Sequence, residues 1–123
     1  MRWGDLSGVV TDTTGALDKI NRTFVDASTL GDTEVVPAQG SGASIRVLGV
    51  HCVSALAVTL RFKSAGNNNI SAGFAIGVNG NLSMAYMPHG WFQTNPNEAL
   101  NINQSLAVNT GCNIVWVKVG VGA

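Results

Sequence analysis

Charge is what this sequence has least of. Lys, Arg, Asp and Glu make up 11 % of its 123 residues, about half the usual share. A disordered chain keeps itself solvated with charge, so this scarcity argues against one. Beyond residue 34 the only cations are Arg46, Arg61, Lys63 and Lys118, and they are dispersed. That excludes the clustered basic footprint of a nucleic-acid binder. Long apolar runs are also missing. No stretch approaches the roughly 18 apolar residues of a membrane-spanning helix, so no membrane partner is expected. Residues 1–30 lack the basic start and unbroken apolar run of a secretory signal, so synthesis in a cytoplasm is expected. The two cysteines, Cys52 and Cys112, are accordingly read as buried free thiols, with a disulfide as the alternative.

Acids are scarcer still. From residue 35 onward Glu98 is the only one, whereas hydrolysis by paired carboxylates needs two within roughly 10 Å. Metal binding needs three or four convergent ligands. The candidates are His51, Cys52, His89 and Cys112, and His51 and Cys52 are neighbours on a β-branched run, where adjacent side chains point to opposite faces. Neither cysteine sits at a helix start that would activate a Cys-His nucleophile pair. The run "GFAIGVNG" lacks phosphate-loop spacing. No enzyme activity, cofactor or metal is expected.

What is present is β pattern and turn chemistry. "LAVTLRFKS" alternates, with Leu56, Val58, Leu60 and Phe62 on one face. "ISAGFAIGV" sets Ile70, Ala72, Phe74, Ile76 and Val78 inward and Ser71, Gly73, Ala75 and Gly77 outward. "LNINQSLAV" sets Leu100, Ile102, Leu106 and Val108 inward, with Gln104 breaking the series. "SIRVLGVHCV" and "NIVWVKV" can be apolar on both faces. Asn79-Gly80 between two such runs predicts a hairpin. Strands are expected near 33–37, 44–53, 56–64, 70–78, 81–87, 91–94, 98–107 and 112–119. Eight short antiparallel strands predict an all-β sandwich with jelly-roll topology. Its core should hold Leu60, Phe62, Phe74, Ile76, Leu100, Ile102 and Trp116.

Residues 1–32 show no clean period and are read as an irregular N-terminal arm before a sandwich domain at 33–123. Residues 1–34 hold three cations against six acids, a net charge of −3. The arm nevertheless holds Trp3, Leu6, Phe24 and Val25, which a purely solvated tail seldom keeps. These four are candidate anchors on a partner. Gly73 and Ala75 form a small-residue outer strip, and Asn101, Asn103 and Ser105 an uncharged polar one. Both are candidate subunit contacts, since burying uncharged groups costs less than burying charge.

The stretch "YMPHGWFQTNPNEAL" gathers a tyrosine, a histidine, a tryptophan and a glutamate, as an active site would. Its plainer reading is two corners of the sandwich. Met87-Pro88-His89-Gly90 is a turn, Trp91-Phe92 puts at least one ring on the core, and "NPNE" is a second turn. Glu98 is expected to meet a backbone amide or a nearby cation.

The runs "VVPAQGSGASIRVLGV", "VTLRFKS", "GFAIGVNGNLSM", "PHGWFQTNPNEALNINQS" and "GCNIVWVKV" resemble small β-sandwich virion proteins of tailed bacteriophages. The shared pattern is a "VPA" lead-in, a strand of the "IRVLGV" type and a Gly-Trp-Phe corner. A "GEAL"-like step into an Asn-rich strand follows, and a "G-x-N-x-x-W/Y-V" strand ends it. Here Asn97 stands where that step has glycine. The resemblance covers roughly residues 35–119. It implies a jelly-roll-like fold, no enzymatic activity and a place in the virion. The implied role is capsid decoration (cement), as a homotrimer partnered by the major capsid protein or another virion protein. It also implies an arm that reaches onto neighbouring subunits. The alternatives are a tail or fibre component and a host- or carbohydrate-binding module.

Overall fold

The computed structural model describes residues 20–66 and 68–120. Among the described residues ten strands form two five-stranded antiparallel sheets. In sheet A, β1 (Ile20–Ala27), β10 (Thr110–Gly120), β3 (Ala43–Ser54) and β7 (Asn81–Met84) lie side by side, and β8 (Phe92–Gln93) also pairs with β3. In sheet B the order is β2 (Gly31–Val36), β9 (Leu100–Gln104), β4 (Val58–Ser64) and β5 (Asn68–Asn69), and β6 (Phe74–Ile76) also pairs with β4. β5 and β6 share one flank of β4, and β7 and β8 share one flank of β3. The strands therefore occupy eight positions. The orders β1-β10-β3-β7/β8 and β2-β9-β4-β5/β6 are those of the double Greek key of a jelly roll.

Period-two burial builds the core. β4 alternates strictly, with Val58, Leu60, Phe62 and Ser64 buried and Thr59, Arg61 and Lys63 half-buried on the other side. Leu60, Phe62, Leu100 and Ile102 of sheet B meet Ile45, Val47, Val50, Cys52, Ile114 and Trp116 of sheet A in one cluster. Phe62 is its centre. Its ring lies 4.7 Å from that of Phe92 and 6.4 Å, edge-on, from that of Phe74. Of the seven expected core residues six are buried, and Phe74 is half-buried against the cluster.

Several expectations are corrected. Residues 20–32 are not arm: β1 pairs with β10 along its whole length, from Ile20↔Val117 to Ala27↔Thr110, and β2 begins at Gly31. The sandwich thus takes in its first strand from the segment read as irregular. The rest of that segment, with Trp3 and Leu6, lies outside the described residues. Only Phe74–Ile76 of the run 70–78 is strand, and Val78 is 61 % exposed. Asn79-Gly80 does turn the chain, with Asn79 at φ 55° and Gly80 N–H donating to Gly77 C=O. The turn is not a hairpin, because β6 belongs to sheet B and β7 to sheet A. Leu56 and Leu106 lie beyond the strand ends and are exposed.

Gln104 takes an inward place instead and is 1 % exposed. Its amide donates to the carbonyls of Thr29 and Val108, and its oxygen accepts from the Thr110 hydroxyl. Those bonds offset the cost of burying an amide. Cys52 and Cys112 are not free: they are joined by a disulfide.

Candidate interaction surfaces

The outer face of sheet B brings the two predicted strips together. Ala75 pairs with Thr59, and Asn103 and Asn101 pair with Arg61 and Lys63. On the other flank Asn103 and Asn101 pair with Asp32 and Glu34. The polar strip is therefore not uncharged ground, because two acids and two bases flank its asparagines. Most of its polar groups are also engaged locally, although Asn101 Oδ1 is buried without a hydrogen-bond partner. Asn103 donates to Asp32 at 2.7 Å, and Lys63 Nζ lies 3.6 Å from the same carboxylate. Asn101 donates to Ala65 C=O at 3.0 Å. Ser105 Oγ accepts from Thr59 N–H at 2.9 Å, closing the end of β4. Gly73 is exposed but sits under Arg61: a Cβ there would fall 2.8 Å from a guanidinium nitrogen.

The outer face of sheet A differs in kind. Pairing places Ile20, Arg22, Phe24 and Asp26 of β1 beside Val117, Val115, Asn113 and Gly111 of β10. On the far flank Arg46, Gly49, His51 and Val53 of β3 continue these rows. Val117 and Leu48 are buried yet stand apart from the core cluster. A register shift at Val115/Trp116 in the β10–β3 pairing accompanies this change. Phe24 is 77 % and Val53 46 % exposed. Sheet A thus carries apolar side chains on both faces, as its two β-branched runs allow. Of the two anchors predicted in 20–32, Phe24 points outward, while Val25 turns inward and packs on the core. His51 is exposed and Cys52 is buried, as neighbours on a strand should be.

The stretch 86–100 builds corners. Gly90 N–H donates to Met87 C=O, closing the Pro88-His89 turn, and Gly90 takes φ 86°. Phe92 reaches the core. Trp91 stays 42 % exposed, with its indole N–H on Ala85 C=O. With Arg46, His89 and Gln93 it lines an open depression of about 150 Å³. Trp116 is in the core cluster and donates to Thr23 Oγ1 at 2.9 Å. In the second turn Asn97 takes φ 58°, and Glu98 N–H donates to Asn95 C=O. Glu98 meets neither a backbone amide nor a cation there. One carboxylate oxygen accepts from the Ser64 hydroxyl at 2.6 Å and from the amides of Asn95 and Asn68. The Ser64 bond, opposed by desolvation and helped by the two amides, holds the carboxyl below its ordinary pKa. Among the described residues no three of His, Cys, Asp and Glu gather as a metal site would require.

No protein-family model matches the chain, and no curated protein matches it. Among solved structures it is similar, at 14 % identity, to a chain of the structure described as "Bacillus endospore appendages form a novel family of disulfide-linked pili", with a TM-score of 0.49 over 95 % of this chain and 98 % of that one. At 15 % identity it is similar to "Crystal structure of PirA", with a TM-score of 0.36 over 77 % of this chain and 92 % of that one. Similarity at that level bears on no further property of this chain. Neither reaches the virion proteins of the resemblance, which rests on the quoted motifs alone. The chain is an all-β sandwich.

Proposed function

We propose that this protein is a non-enzymatic structural protein that acts by covering and being covered by other proteins, and that it is a capsid decoration protein of a tailed bacteriophage. The outer face of sheet A carries the reading. A solvated sandwich alternates apolar-in and polar-out, yet on this outer face Phe24 and Val53 are exposed, with Val115 half-buried between them. Exposed apolar area of this kind marks a protein contact. The quoted motifs supply the finer part, the virion and the capsid shell.

Immunogold labelling of particles released from the source culture tests the reading. Gold over heads supports decoration of the shell. Gold confined to tails moves the protein to a fibre or tail role. Particles without gold, in a culture that makes the protein, overturn the virion assignment.

A further inference from the structure

We propose that the depression beside Trp91 binds one acidic sugar unit of a glycan, with the sugar ring on the indole and its carboxylate on Arg46. The proposal goes beyond the structural role and stands apart from it, since it uses only the corner at 87–93 and the strand that the corner crosses.

Strand alternation builds the depression. β8 pairs with β3, setting Gln93 opposite Arg46 and Phe92 opposite Val47. Phe92 turns inward and packs on the core. Its neighbours Trp91 and Gln93 are thereby sent outward, beside Arg46. His89, Trp91 and Gln93 are exposed and Arg46 is half-buried. Together they line the open space of about 150 Å³. An ordinary small-molecule pocket starts at roughly 300 Å³. A small and open site suits a single ring of a longer chain rather than an enclosed ligand.

The groups are held in place before any ligand arrives. The Trp91 indole N–H donates to Ala85 C=O at 2.8 Å, which fixes the ring. Arg46 Nε donates to Gln93 Oε1 at 2.9 Å. The Arg46 stem passes close under Gly90, where a Cβ would collide with it. Such ordering lowers the cost of binding.

What these groups offer has a definite sign. Arg46 carries a full charge, yet its partner is an amide, and among the described residues no carboxylate pairs with it. A guanidinium has five N–H donors, of which Nε supplies one. Gln93 engages its oxygen on Arg46 and keeps two N–H donors. Donors without an acid call for an anion, and Arg holds a carboxylate through two parallel bonds. The exposed indole adds an apolar face, which a bare phosphate or sulfate would not use. A uronic-acid unit has both parts, a carboxylate and a face of C–H groups, and its hydroxyls can meet Gln93 and His89.

NMR titration of the nitrogen-15-labelled full chain with trigalacturonic acid supplies the test, with the neutral galactose trimer as control. Saturable shifts are expected at the Trp91 indole and at the backbone N–H groups of Gly90, Trp91 and Gln93. The dissociation constant should be on the order of 1 mM, as one sugar unit allows. The neutral trimer should bind about tenfold more weakly or worse. Trp91→Ala and Arg46→Gln should each weaken binding of the acid by about tenfold or more, and Arg46→Gln should also remove the preference for it. Gln93→Glu keeps the corner and its bond to Arg46 but places an acid in the site, so it should abolish binding. The proposal is overturned by a wild type without saturable shifts, by shifts that lie away from 89–93, or by equal binding of the neutral trimer. Wild-type affinity in Arg46→Gln or Gln93→Glu overturns it as well.

Discussion

Cys52 lies directly opposite Cys112 on the two central strands of sheet A, and a disulfide joins them. The two residues are 0 % and 1 % exposed. The bond therefore lies inside the closed sandwich, packed in the same cluster as Ile114 and Val50. Persistent disulfides belong to oxidising surroundings, virion and cell surfaces among them.

Removing the bond is expected to cost substantial stability. The bridge closes a loop with a sequence separation of 60, for which loop entropy gives about 4 kcal/mol. Cys52→Ala/Cys112→Ala should therefore shift the denaturation midpoint strongly while leaving the β signal in circular dichroism. Reductant without denaturant should leave the bond intact, because neither sulfur is accessible. Rapid reduction of the native protein would contradict the sealed position.

Gln104 is a second buried polar feature with a measurable consequence. Gln104→Ala strands the buried Val108 carbonyl and leaves the buried Thr110 hydroxyl only a long 3.4 Å bond to Ser54 Oγ. Each unsatisfied buried group costs about 1–3 kcal/mol. Urea unfolding should show a loss of at least that size. A change under about 0.5 kcal/mol, the usual scale of surface substitutions, would mean the amide is not holding the β9–β10 corner.

Much of this fold is written in period two, and its exceptions have physical causes. Leu60, Phe62, Leu100, Ile102 and Trp116 were legible because each sits in a clean alternation or a β-branched run. β1 was not, because its pattern is inverted. Phe24 faces out, and Thr23 faces in to take the Trp116 indole. A hydrophobic period cannot place such a strand. Asn79-Gly80 encodes a turn but not the sheets it joins. The cysteine pairing was hidden because chain spacing says nothing about which strands become neighbours. Of the candidate contacts, Phe24, Gly73, Ala75 and Ser105 are exposed, Asn101 and Asn103 are half-buried, and Val25 packs inward. The valines outside sheet A were visible only as a run apolar on both faces.

Glu98 predicts a pH dependence with a definite sign. Its folded pKa is lowered, chiefly by the Ser64 hydrogen bond. A depressed carboxyl contributes stability above its unfolded pKa, about 4.3, and loses it as pH falls through the folded value. Melting temperature should be flat from neutral pH down to about 5 and fall below that. Glu98→Gln should flatten part of the acid limb, and Ser64→Ala should do the same by raising the Glu98 pKa. An acid limb identical in Glu98→Gln and wild type would remove Glu98 as its cause.

Asn97 is the position where this chain departs from the glycine of the resembling pattern, and its backbone explains why the departure is tolerated. It sits at φ 58°, in the left-handed region, and its N–H donates to Ala43 C=O at 2.8 Å. Glycine enters that region without steric cost, and asparagine enters it more readily than other side chains. Asn97→Gly is therefore expected to stay within about 0.5 kcal/mol of wild type, the range of substitutions without steric consequence. A β-branched residue forced into the same conformation clashes with its own backbone, so Asn97→Val should cost about 1–2 kcal/mol. The cost should appear as a lower urea midpoint with an unchanged slope. Equal midpoints for the valine and glycine variants would show that the turn at 95–98 does not hold this residue left-handed in solution. The step from Asn97 into β9 would then need another explanation.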